Sequence, residues 1–314
     1  MTDKSPLVTV IIATWNRKSM VVRCVDSVFK NTYKNIELIV IDNASKDGTD
    51  RALKKYSRLK NFKFLKDKKE VLKAFAVNKA LKYAHGELIF VLDDDNMADK
   101  NCIAEMVYSF KKHPDAGIVG PVAFYYSAPN IIMHAGTRKS AFMRRAIYPH
   151  FNERWKNQIK EGEEVDDFAN AFMLKKECLE KAGTWDLEVA AMGEDGDVET
   201  RIRSFGYKAI INPKAKTYHD IPYDPSKGYF LRFGDIQMYN GIRSKIISES
   251  RYDTTLSKIT FAVSIPLYVA YYVYRISTSN TALTKKLHLT RLVFAGMLSG
   301  ISVGISGKNK IQRL

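Results

Sequence analysis

Apolar runs and amphipathic segments alternate through the first two hundred residues of the chain. Short aliphatic runs bounded by turn residues predict strands that are buried on both faces of a sheet. The predicted strands are Leu7 to Ala13, Ile36 to Asp42, Glu87 to Asp93, Gly117 to Phe124, Ala169 to Leu174 and Lys208 to Asn212. The predicted helices between the first four strands are Met20 to Asn31, Thr49 to Arg58, Lys73 to His85 and Lys100 to His113. This alternation predicts right-handed βαβ units and a doubly wound, mostly parallel α/β sheet flanked by helices.

One long segment departs from the alternation. Residues Ser127 to Glu164 contain Pro129, Pro149, mixed charges and scattered aromatics, and they have no clean period. This pattern predicts a long loop region over the edge of the sheet, which would act as a lid.

The last quarter of the chain has a different pattern. Two uncharged runs, Ile259 to Tyr274 and Leu292 to Gly307, are each flanked by Lys or Arg. Both are shorter than the roughly twenty residues that span a bilayer, so interfacial or re-entrant helices are expected at a membrane surface. The alternative is a pair of buried helices that pack on the rest of the chain or on a second copy of it in a homodimer.

Composition divides the chain in the same place. The 314 residues are 46% hydrophobic and 11% aromatic, which are globular values that exclude wholesale disorder. Of the net charge of +16, +10 comes from Ser226 to Leu314, which holds thirteen Lys or Arg and three acids. We therefore expect a catalytic domain over residues 1–225 and a basic, helical, membrane-associating region over residues 226–314. The aromatics do not alternate with Lys and Arg, so nucleic acid is not an expected partner.

The cysteines and the first residues of the chain indicate in which cellular compartment the protein is expected. Cys24, Cys102 and Cys178 are isolated, which favours a reducing compartment and argues against a zinc site or a disulfide framework. The chain opens with the polar segment Met1 to Pro6, so no cleaved signal is expected.

The first candidate functional residues follow directly after the third long predicted strand. The run Leu88 to Leu92 is followed at once by Asp93, Asp94 and Asp95. Three adjacent carboxylates repel one another unless a divalent cation, itself neutralised by phosphate oxygens, lies among them. The triplet therefore indicates a metal-diphosphate site. The alternative is a solvated turn in which one Asp caps the helix that begins near Lys100.

The first two strands also end in polar side chains, and all three ends fall on one edge of the predicted sheet. The first strand ends in Thr14 to Arg17 and the second in Asp42 to Thr49. Carboxylates, amides and backbone donors at one edge suit a nucleotide, although a turn with a helix N-cap also explains the second segment. No GxGxxG or GxxxxGK[ST] motif occurs, which argues against dinucleotide and P-loop sites.

Four blocks taken together resemble the signature of family 2 glycosyltransferases. They are Val10 to Arg17, Val40 to Thr49, Leu92 to Asp95, and Gly193 to Asp195. The resemblance covers roughly residues 7 to 222, and it is greatest to the rhamnosyltransferase-like subgroup. It implies a GT-A fold, a nucleotide-diphosphate sugar donor, a divalent metal (manganese or magnesium), and inversion at the anomeric carbon.

The resemblance also implies roles for the donor side. The residues expected to contact the nucleoside or sugar are Thr14, Asn16, Arg17, Asp42, Asn43, Asn78, Asp93 and Asp94. The expected metal ligands are Asp93, Asp95 and His219. The family usually has an Arg before the position of Asn78, and Val77 replaces it here, so Lys73 or Lys79 could supply the missing charge.

On the acceptor side, Asp195 resembles the catalytic base of the family, and Glu194 lies beside it. The base must reach the acceptor hydroxyl. The alternative is that both acids only begin a helix that runs to Phe205. Asp166 and Trp185 resemble acceptor-side positions, and Trp185 would offer a flat face to a sugar ring; a core aromatic is its alternative.

These features predict an inverting, metal-dependent glycosyltransferase that moves a sugar from a nucleotide-diphosphate donor to a hydroxyl of a lipid-linked or growing glycan. We expect it on the cytoplasmic face of the cell membrane, attached through its C-terminal region. Three alternatives remain: transfer to polyprenyl phosphate, a non-catalytic scaffold that binds sugar nucleotides, and a nucleotidyltransferase. The last normally needs a Gly-rich basic loop after the first strand, and Trp15 to Arg17 is not one.

Overall fold

A computed structural model describes residues 5–141, 144–189, 191–224, 235–252, 255–307 and 310–312. The strands are β1 Val8–Thr14, β2 Ile36–Asp42, β3 Phe62–Lys66, β4 Leu88–Leu92, β5 Asn96–Ala98, β6 Ala116–Tyr125, β7 Ala128–His134, β8 Arg138–Lys139, β9 Ala146–Ile147, β10 Glu163–Val165, β11 Ala171–Lys175 and β12 Lys208–His219. The helices are α1 Lys18–Phe29, α2 Thr49–Leu53, α3 Lys73–Leu81, α4 Cys102–Lys112, α5 Lys176–Ala182, α6 Glu194–Ser204, α7 Asp235–Tyr252, α8 Thr255–Ser277 and α9 Leu283–Ser306.

The main sheet confirms the predicted α/β class. Its strand order is β10-β12-β6-β11-β4-β1-β2-β3, with β5 paired to β12 and β7 paired to β6. Strands β3, β2, β1 and β4 are mutually parallel, and β12 is parallel to β6. Strand β11 runs antiparallel between β4 and β6. Strand direction is not encoded in the hydrophobic pattern, so the sequence did not reveal this reversal.

The central strands are buried on both faces, as the aliphatic runs predict. In β1, Val10 and Ile12 belong to one hydrophobic layer and Ile11 to the other. All five residues of β4 are buried. The layers of helices on both faces hold the strands in place, and they leave only the strand ends open for chemistry.

The segment predicted as a long loop, residues 127–164, contains strands β7, β8 and β9 and the start of β10, so the prediction is wrong for these stretches; most of the other described residues of the segment lie outside strands. Strand β7 returns antiparallel along β6, and β8 pairs with β9 in a small separate sheet. The first half of β7 is partly exposed and contains Pro129, which hides the strand period. Edge strand β3 was also not predicted, because Lys63 and Lys66 interrupt its apolar pattern.

The C-terminal helices pack as a bundle with its own core, and α7 also packs on α6. The Ser248 hydroxyl donates to Asp197 Oδ1 at 2.5 Å, and Arg251 forms an ion pair with Asp186 at 2.9 Å. Arg243 pairs with Glu188 at 2.6 Å. The predicted domain boundary at residues 225 and 226 lies outside the described residues, and the two-domain division stays a prediction.

These contacts predict that α7 stabilises the segment around α6. We expect Ser248→Ala to lower the free energy of unfolding by about 2 kcal/mol, because the buried Asp197 carboxylate loses a donor. Chemical denaturation of the full chain measures this change. Ser250→Ala is the matched control, since the Ser250 hydroxyl donates to Ile247 within its own helix. Equal unfolding free energies for the two variants would contradict the prediction.

Candidate active site

The polar strand ends meet at the carboxyl edge of the sheet. Thr14, the last residue of β1, is in register with Asp42, the last residue of β2. Asp93 follows β4 on the other side of β1, and His219 ends β12. The sequence prediction that these ends share one edge is therefore confirmed by the topology.

Asp94 is buried in a cluster of donors from the β1 end. The Thr14 hydroxyl donates to Asp94 Oδ2 at 2.7 Å, and Arg17 Nη1 donates to Asp94 Oδ1 at 2.9 Å. Burial nevertheless raises the pKa of Asp94 to about 6. Thr14 and Arg17, predicted to line the nucleoside pocket, thus also hold the middle acid of the triplet in place.

Asp95 lies between a guanidinium and an imidazole. Arg17 Nη1 is 2.8 Å from Asp95 Oδ2, and His219 Nε2 is 3.2 Å from Asp95 Oδ1. Burial opposes ionisation, but His219 and Arg17 outweigh it and lower the pKa of Asp95. His219 Nδ1 is buried and has no hydrogen-bond partner among the described residues.

The pair Asp95 and His219 fits a divalent cation as two of its ligands. Magnesium is commonly held by one or two carboxylates together with substrate phosphates, so a complete protein cage is not required. Within the described ranges, no group of three or more His, Cys, Asp or Glu side chains could hold a metal ion. Asp93, predicted as a third ligand, does not join the pair, because its Oδ1 accepts from Lys73 instead.

Lys73 bridges the two acidic segments of the site. Its Nζ lies 2.6 Å from Asp93 Oδ1 and 2.8 Å from Asp195 Oδ2. Burial disfavours its charge, but Asp195, Asp93 and Glu194 raise the pKa of Lys73 well above its ordinary value. The ammonium therefore stays charged. Sequence reasoning treated Lys73 only as a substitute for a missing Arg, and this bridge had no signal in the sequence.

Lys79, the other lysine considered as a substitute, is engaged elsewhere. Its ammonium pairs with Asp67, which follows edge strand β3. Of the two lysines, Lys73 is therefore the one that lies between the acidic segments.

Asp195 is the second residue of helix α6, and both of its carboxylate oxygens accept hydrogen bonds. Its Oδ1 accepts the indole N–H of Trp185 at 2.9 Å, and its Oδ2 accepts from Lys73. Gly193, at φ 79°, supplies the left-handed turn that starts the helix. Burial and the neighbouring Asp195 raise the pKa of Glu194 to about 7. Glu194 therefore keeps its proton to a higher pH than an exposed glutamate does.

Trp185 corrects a sequence prediction. The side chain is fully buried, with 0% exposure, and its ring lies against Phe172. It offers no open face to a sugar ring, since the indole is enclosed and directed at Asp195. The core alternative considered for Trp185 is therefore correct, and its role in the site is to orient the carboxylate.

The Asn78 side chain bonds the backbone of Trp185. Its amide nitrogen donates to the Trp185 carbonyl at 2.8 Å, and its amide oxygen accepts the Trp185 N–H at 3.0 Å. The side chain is buried and directed at this backbone, not at the donor edge. Asn78 thus fixes the segment that carries Trp185, and its contact with the donor stays a prediction.

The two residues at the end of β2 that were predicted to contact the donor, Asp42 and Asn43, differ in their surroundings. Asp42 is buried, its Oδ1 accepts from the Ser45 N–H at 2.9 Å, and its Oδ2 has no hydrogen-bond partner in the described part of the chain. Asn43 bonds through both amide atoms to the Val71 backbone, and its contact with base or ribose stays a prediction. Lys66 Nζ lies 3.9 Å from Asp42 Oδ2, so this buried oxygen has an ion-pair partner but no hydrogen bond among the described residues, and Asp42 is the better candidate for a ligand contact.

Two further predicted residues lie beside the site. The Asn16 backbone N–H donates to Ser45 Oγ at 2.8 Å, and Asn16 Oδ1 accepts from the Lys46 N–H at 2.8 Å, so Asn16 joins the β1 and β2 loops. Asp166 pairs with Arg203 of α6 at 2.8 Å. The predicted contact of Asp166 with an acceptor stays a prediction.

The sequence of the chain is similar to those of known proteins. A family model described as Glycosyl transferase family 2 matches residues 9–183. The poly-beta-1,6-N-acetyl-D-glucosamine synthase of Staphylococcus epidermidis is 26% identical over 216 residues, covering 68% of this chain and 50% of that protein. The chain thus spans about half the length of the curated relatives that it matches first.

Two solved structures share the fold over almost the whole chain. One is a mannosyltransferase from Pyrobaculum calidifontis in complex with GDP-Man and Mn²⁺, with a TM-score of 0.53, 17% identity, and coverage of 98% of this chain and 89% of that one. The other is GalNAc-T7 with UDP, GalNAc and Mn²⁺, with a TM-score of 0.64, 16% identity, and coverage of 98% and 59%. At these identities the likeness shows the fold alone, and the predicted GT-A fold is confirmed.

Proposed function

This chain belongs to glycosyl transferase family 2, and from that membership we propose that it transfers a sugar from a nucleotide-diphosphate donor to a hydroxyl group of a lipid-linked or growing glycan. The resemblance read from the sequence is thereby confirmed at the level of the family. The rhamnosyltransferase-like subgroup stays a prediction.

One observation carries the proposal: a single ammonium joins the donor-side acids to the candidate base. Lys73 contacts both Asp93 and Asp195, although these residues are far apart in the sequence. Transfer needs a leaving diphosphate and an acceptor hydroxyl on opposite sides of one anomeric carbon. Lys73 holds the two carboxylate segments next to each other, which supports a reaction between groups bound at the two segments.

The proposed step is an inverting displacement. The acceptor oxygen forms a bond to the anomeric carbon while the bond from that carbon to the diphosphate oxygen breaks, and the nucleoside diphosphate leaves with the electron pair. Asp195 Oδ2 accepts the proton of the acceptor hydroxyl, and Trp185 keeps the carboxylate oriented through Oδ1. Lys73 and Arg17 supply positive charge beside the diphosphate.

Manganese or magnesium is the proposed cofactor. Asp95 and His219 would hold it, and phosphate oxygens of the donor would complete its shell. Such an ion stabilises negative charge that develops on the leaving diphosphate. The contact of 3.2 Å between His219 Nε2 and Asp95 Oδ1 supports this assignment, because it places two metal-binding side chains next to each other.

The proposed location is the cytoplasmic face of the cell membrane, where a lipid-linked acceptor would be presented. Two C-terminal helices, Lys258–Ser277 and Leu283–Ser306, are long and apolar enough to cross a membrane by length and composition. The length and apolar composition of these two helices support membrane association.

A panel of nucleotide sugars tests the donor half of the proposal. With manganese present, we expect one donor at a hundred times its Kd to stabilise the full chain by about 2.7 kcal/mol, which thermal unfolding detects as a raised Tm. The same donor is expected to be hydrolysed slowly, releasing nucleoside diphosphate. Chelation of the metal is the control, and it should remove most of the shift. If no nucleotide sugar binds with or without metal, the transferase proposal fails.

A further inference from the structure

Helices α8 and α9 each carry a line of exposed apolar side chains. We call these two lines together the apolar stripe. On α8 its members are Leu256, Ile259, Val263, Leu267 and Tyr274, and on α9 they are Leu283, Leu287, Phe294, Leu298 and Ile305. Their exposed fractions run from 44% to 83%, which is unusual for ten large apolar residues in neighbouring helices.

The spacing of these residues places each line on one side of its helix. Successive members are three, four or seven residues apart, which is the helical repeat. The other side of each helix forms the core of the bundle, where Phe261 and Tyr268 of α8 meet Leu289 and Val293 of α9. The apolar stripe is therefore additional to the residues that hold the bundle together.

Charge around the apolar stripe has one sign. From Thr255 to Ser306 the chain contains Lys258, Arg275, Lys285, Lys286 and Arg291 and no Asp or Glu. An apolar surface on helices whose own charged residues are all cations is complementary to an anionic phospholipid surface, where each Lys or Arg contributes on the order of 1 kcal/mol.

Helix α7 lies along α9, which bears on whether α9 can cross a bilayer. Arg243 Nε donates to Ser299 Oγ at 3.1 Å, and Arg251 Nη2 donates to the Val303 carbonyl at 3.1 Å. Gly300 permits this approach, because a Cβ there would lie 2.9 Å from the Arg243 carbonyl oxygen. His288 contacts Asp235 at 3.0 Å near the other end of α9. The two helices are thus side by side over most of the length of α9.

Helix α7 is in turn fixed to the catalytic part of the chain. Arg251 pairs with the buried Asp186, Arg243 pairs with Glu188, and Ser248 donates to the buried Asp197. If α9 crossed a bilayer in this arrangement, these ion pairs and helix α6, which contains Asp195, would enter the hydrocarbon with it. Charged side chains at that depth cost several kcal/mol each.

We propose that the apolar stripe binds the surface of an anionic phospholipid bilayer, with α8 and α9 lying in the plane of the interface and neither helix spanning it. This inference rests on the proposed membrane location of the enzyme. Because α7 connects the apolar stripe to α6, the arrangement holds the candidate base at a fixed position relative to the lipid surface, where a lipid-linked acceptor would arrive.

Vesicle flotation of the full chain tests whether the apolar stripe binds lipid, and it needs neither a sugar donor nor an acceptor. We expect co-flotation with vesicles of phosphatidylglycerol and phosphatidylcholine, weaker binding to pure phosphatidylcholine, and weakening by salt. The double variant Leu267→Asp, Leu298→Asp should reduce the bound fraction at least tenfold. Phe205→Asp is the matched control, because Phe205 is 57% exposed on the catalytic part and should leave binding unchanged. Unchanged flotation of the double variant overturns the proposal.

Two alternative arrangements, a dimer of the chain and a pair of membrane-spanning helices, would give different results. If a second copy of the chain covers the apolar stripe, light scattering will show a dimer that the double variant converts to a monomer, and this overturns the proposal. If the helices span, Asn280→Cys, in the turn between α8 and α9, will react with an impermeant maleimide from the side opposite to Ser57→Cys in sealed membrane vesicles. The in-plane arrangement predicts reaction of both variants from the same side.

Failure here is separable from failure of the proposed transfer. Flotation and labelling require no sugar nucleotide, whereas the donor panel requires no membrane. A chain that binds a donor but does not float refutes the apolar stripe alone, and a chain that floats but binds no donor refutes the transferase alone.

Discussion

Asp195→Asn is expected to lower the rate of sugar transfer by about 10² to 10⁴-fold, the usual contribution of a general base, while donor affinity stays within about threefold. The substitution keeps the shape of the side chain and removes the charge that accepts the proton. Oδ1 still has Trp185 as its donor, so the orientation of the side chain is preserved. Lys73 retains Asp93 as a partner, so the donor side stays intact. Single-turnover transfer and calorimetric donor binding measure the two quantities separately.

Asp197→Asn is the matched control, because it is the same chemical change two residues further along α6. Asp197 pairs with Arg201 at 3.0 Å and accepts from Ser248, so its role is structural. We expect this variant to lose stability and to keep its transfer rate per folded molecule.

The same variant separates the acceptor classes. A polyprenyl phosphate attacks through an oxygen that is already ionised, so it needs no proton acceptor. If Asp195→Asn retains most of the activity, the hydroxyl acceptor is wrong and transfer to a lipid phosphate takes its place. If the unmodified chain binds a donor but never transfers its sugar, the non-catalytic scaffold is correct.

Asp95→Asn is expected to weaken manganese-dependent donor binding by about a hundredfold, the equivalent of about 3 kcal/mol. Asp95 carries the lowered pKa of the acidic triplet and contacts His219, so its charge is the one best placed to hold a cation. Titration of nucleoside diphosphate with and without manganese measures the loss.

Asp99→Asn is the control for that measurement. Asp99 lies four residues further on and accepts the Asn101 N–H at the start of α4. It should bind donor normally. A manganese dependence that survives Asp95→Asn unchanged would refute the assignment of Asp95 to the metal.

The fold was largely predictable because buried strands and amphipathic helices leave periodic patterns. Strand β4 is an unbroken aliphatic run that can only be interior, and the acids that follow it must lie at the strand end. Strand β7 could not be recognised, since its partly exposed first half has no clean alternation. The antiparallel direction of β11 depends on how the chain returns to the sheet, which no local pattern encodes.

Residue types in the site were predictable, whereas side-chain directions were not. A motif shows that an amide or an indole stands at a position, but tertiary packing decides where it points. Asn78 and Trp185 were predicted as ligand contacts, but the Asn78 amide bonds the backbone of Trp185, and the Trp185 indole N–H donates to Asp195. No sequence pattern predicts the ion pairs of Lys73, because its two partners come from distant parts of the sequence.

The central claim is that the acids after β4 hold the donor while Asp195 serves the acceptor. Calorimetric affinity for the nucleotide donor with manganese, measured in parallel for Asp95→Asn and Asp195→Asn, tests it most directly. The account predicts a loss of about a hundredfold for Asp95→Asn and an affinity close to that of the unmodified chain for Asp195→Asn. Equal losses of donor affinity in the two variants would contradict it.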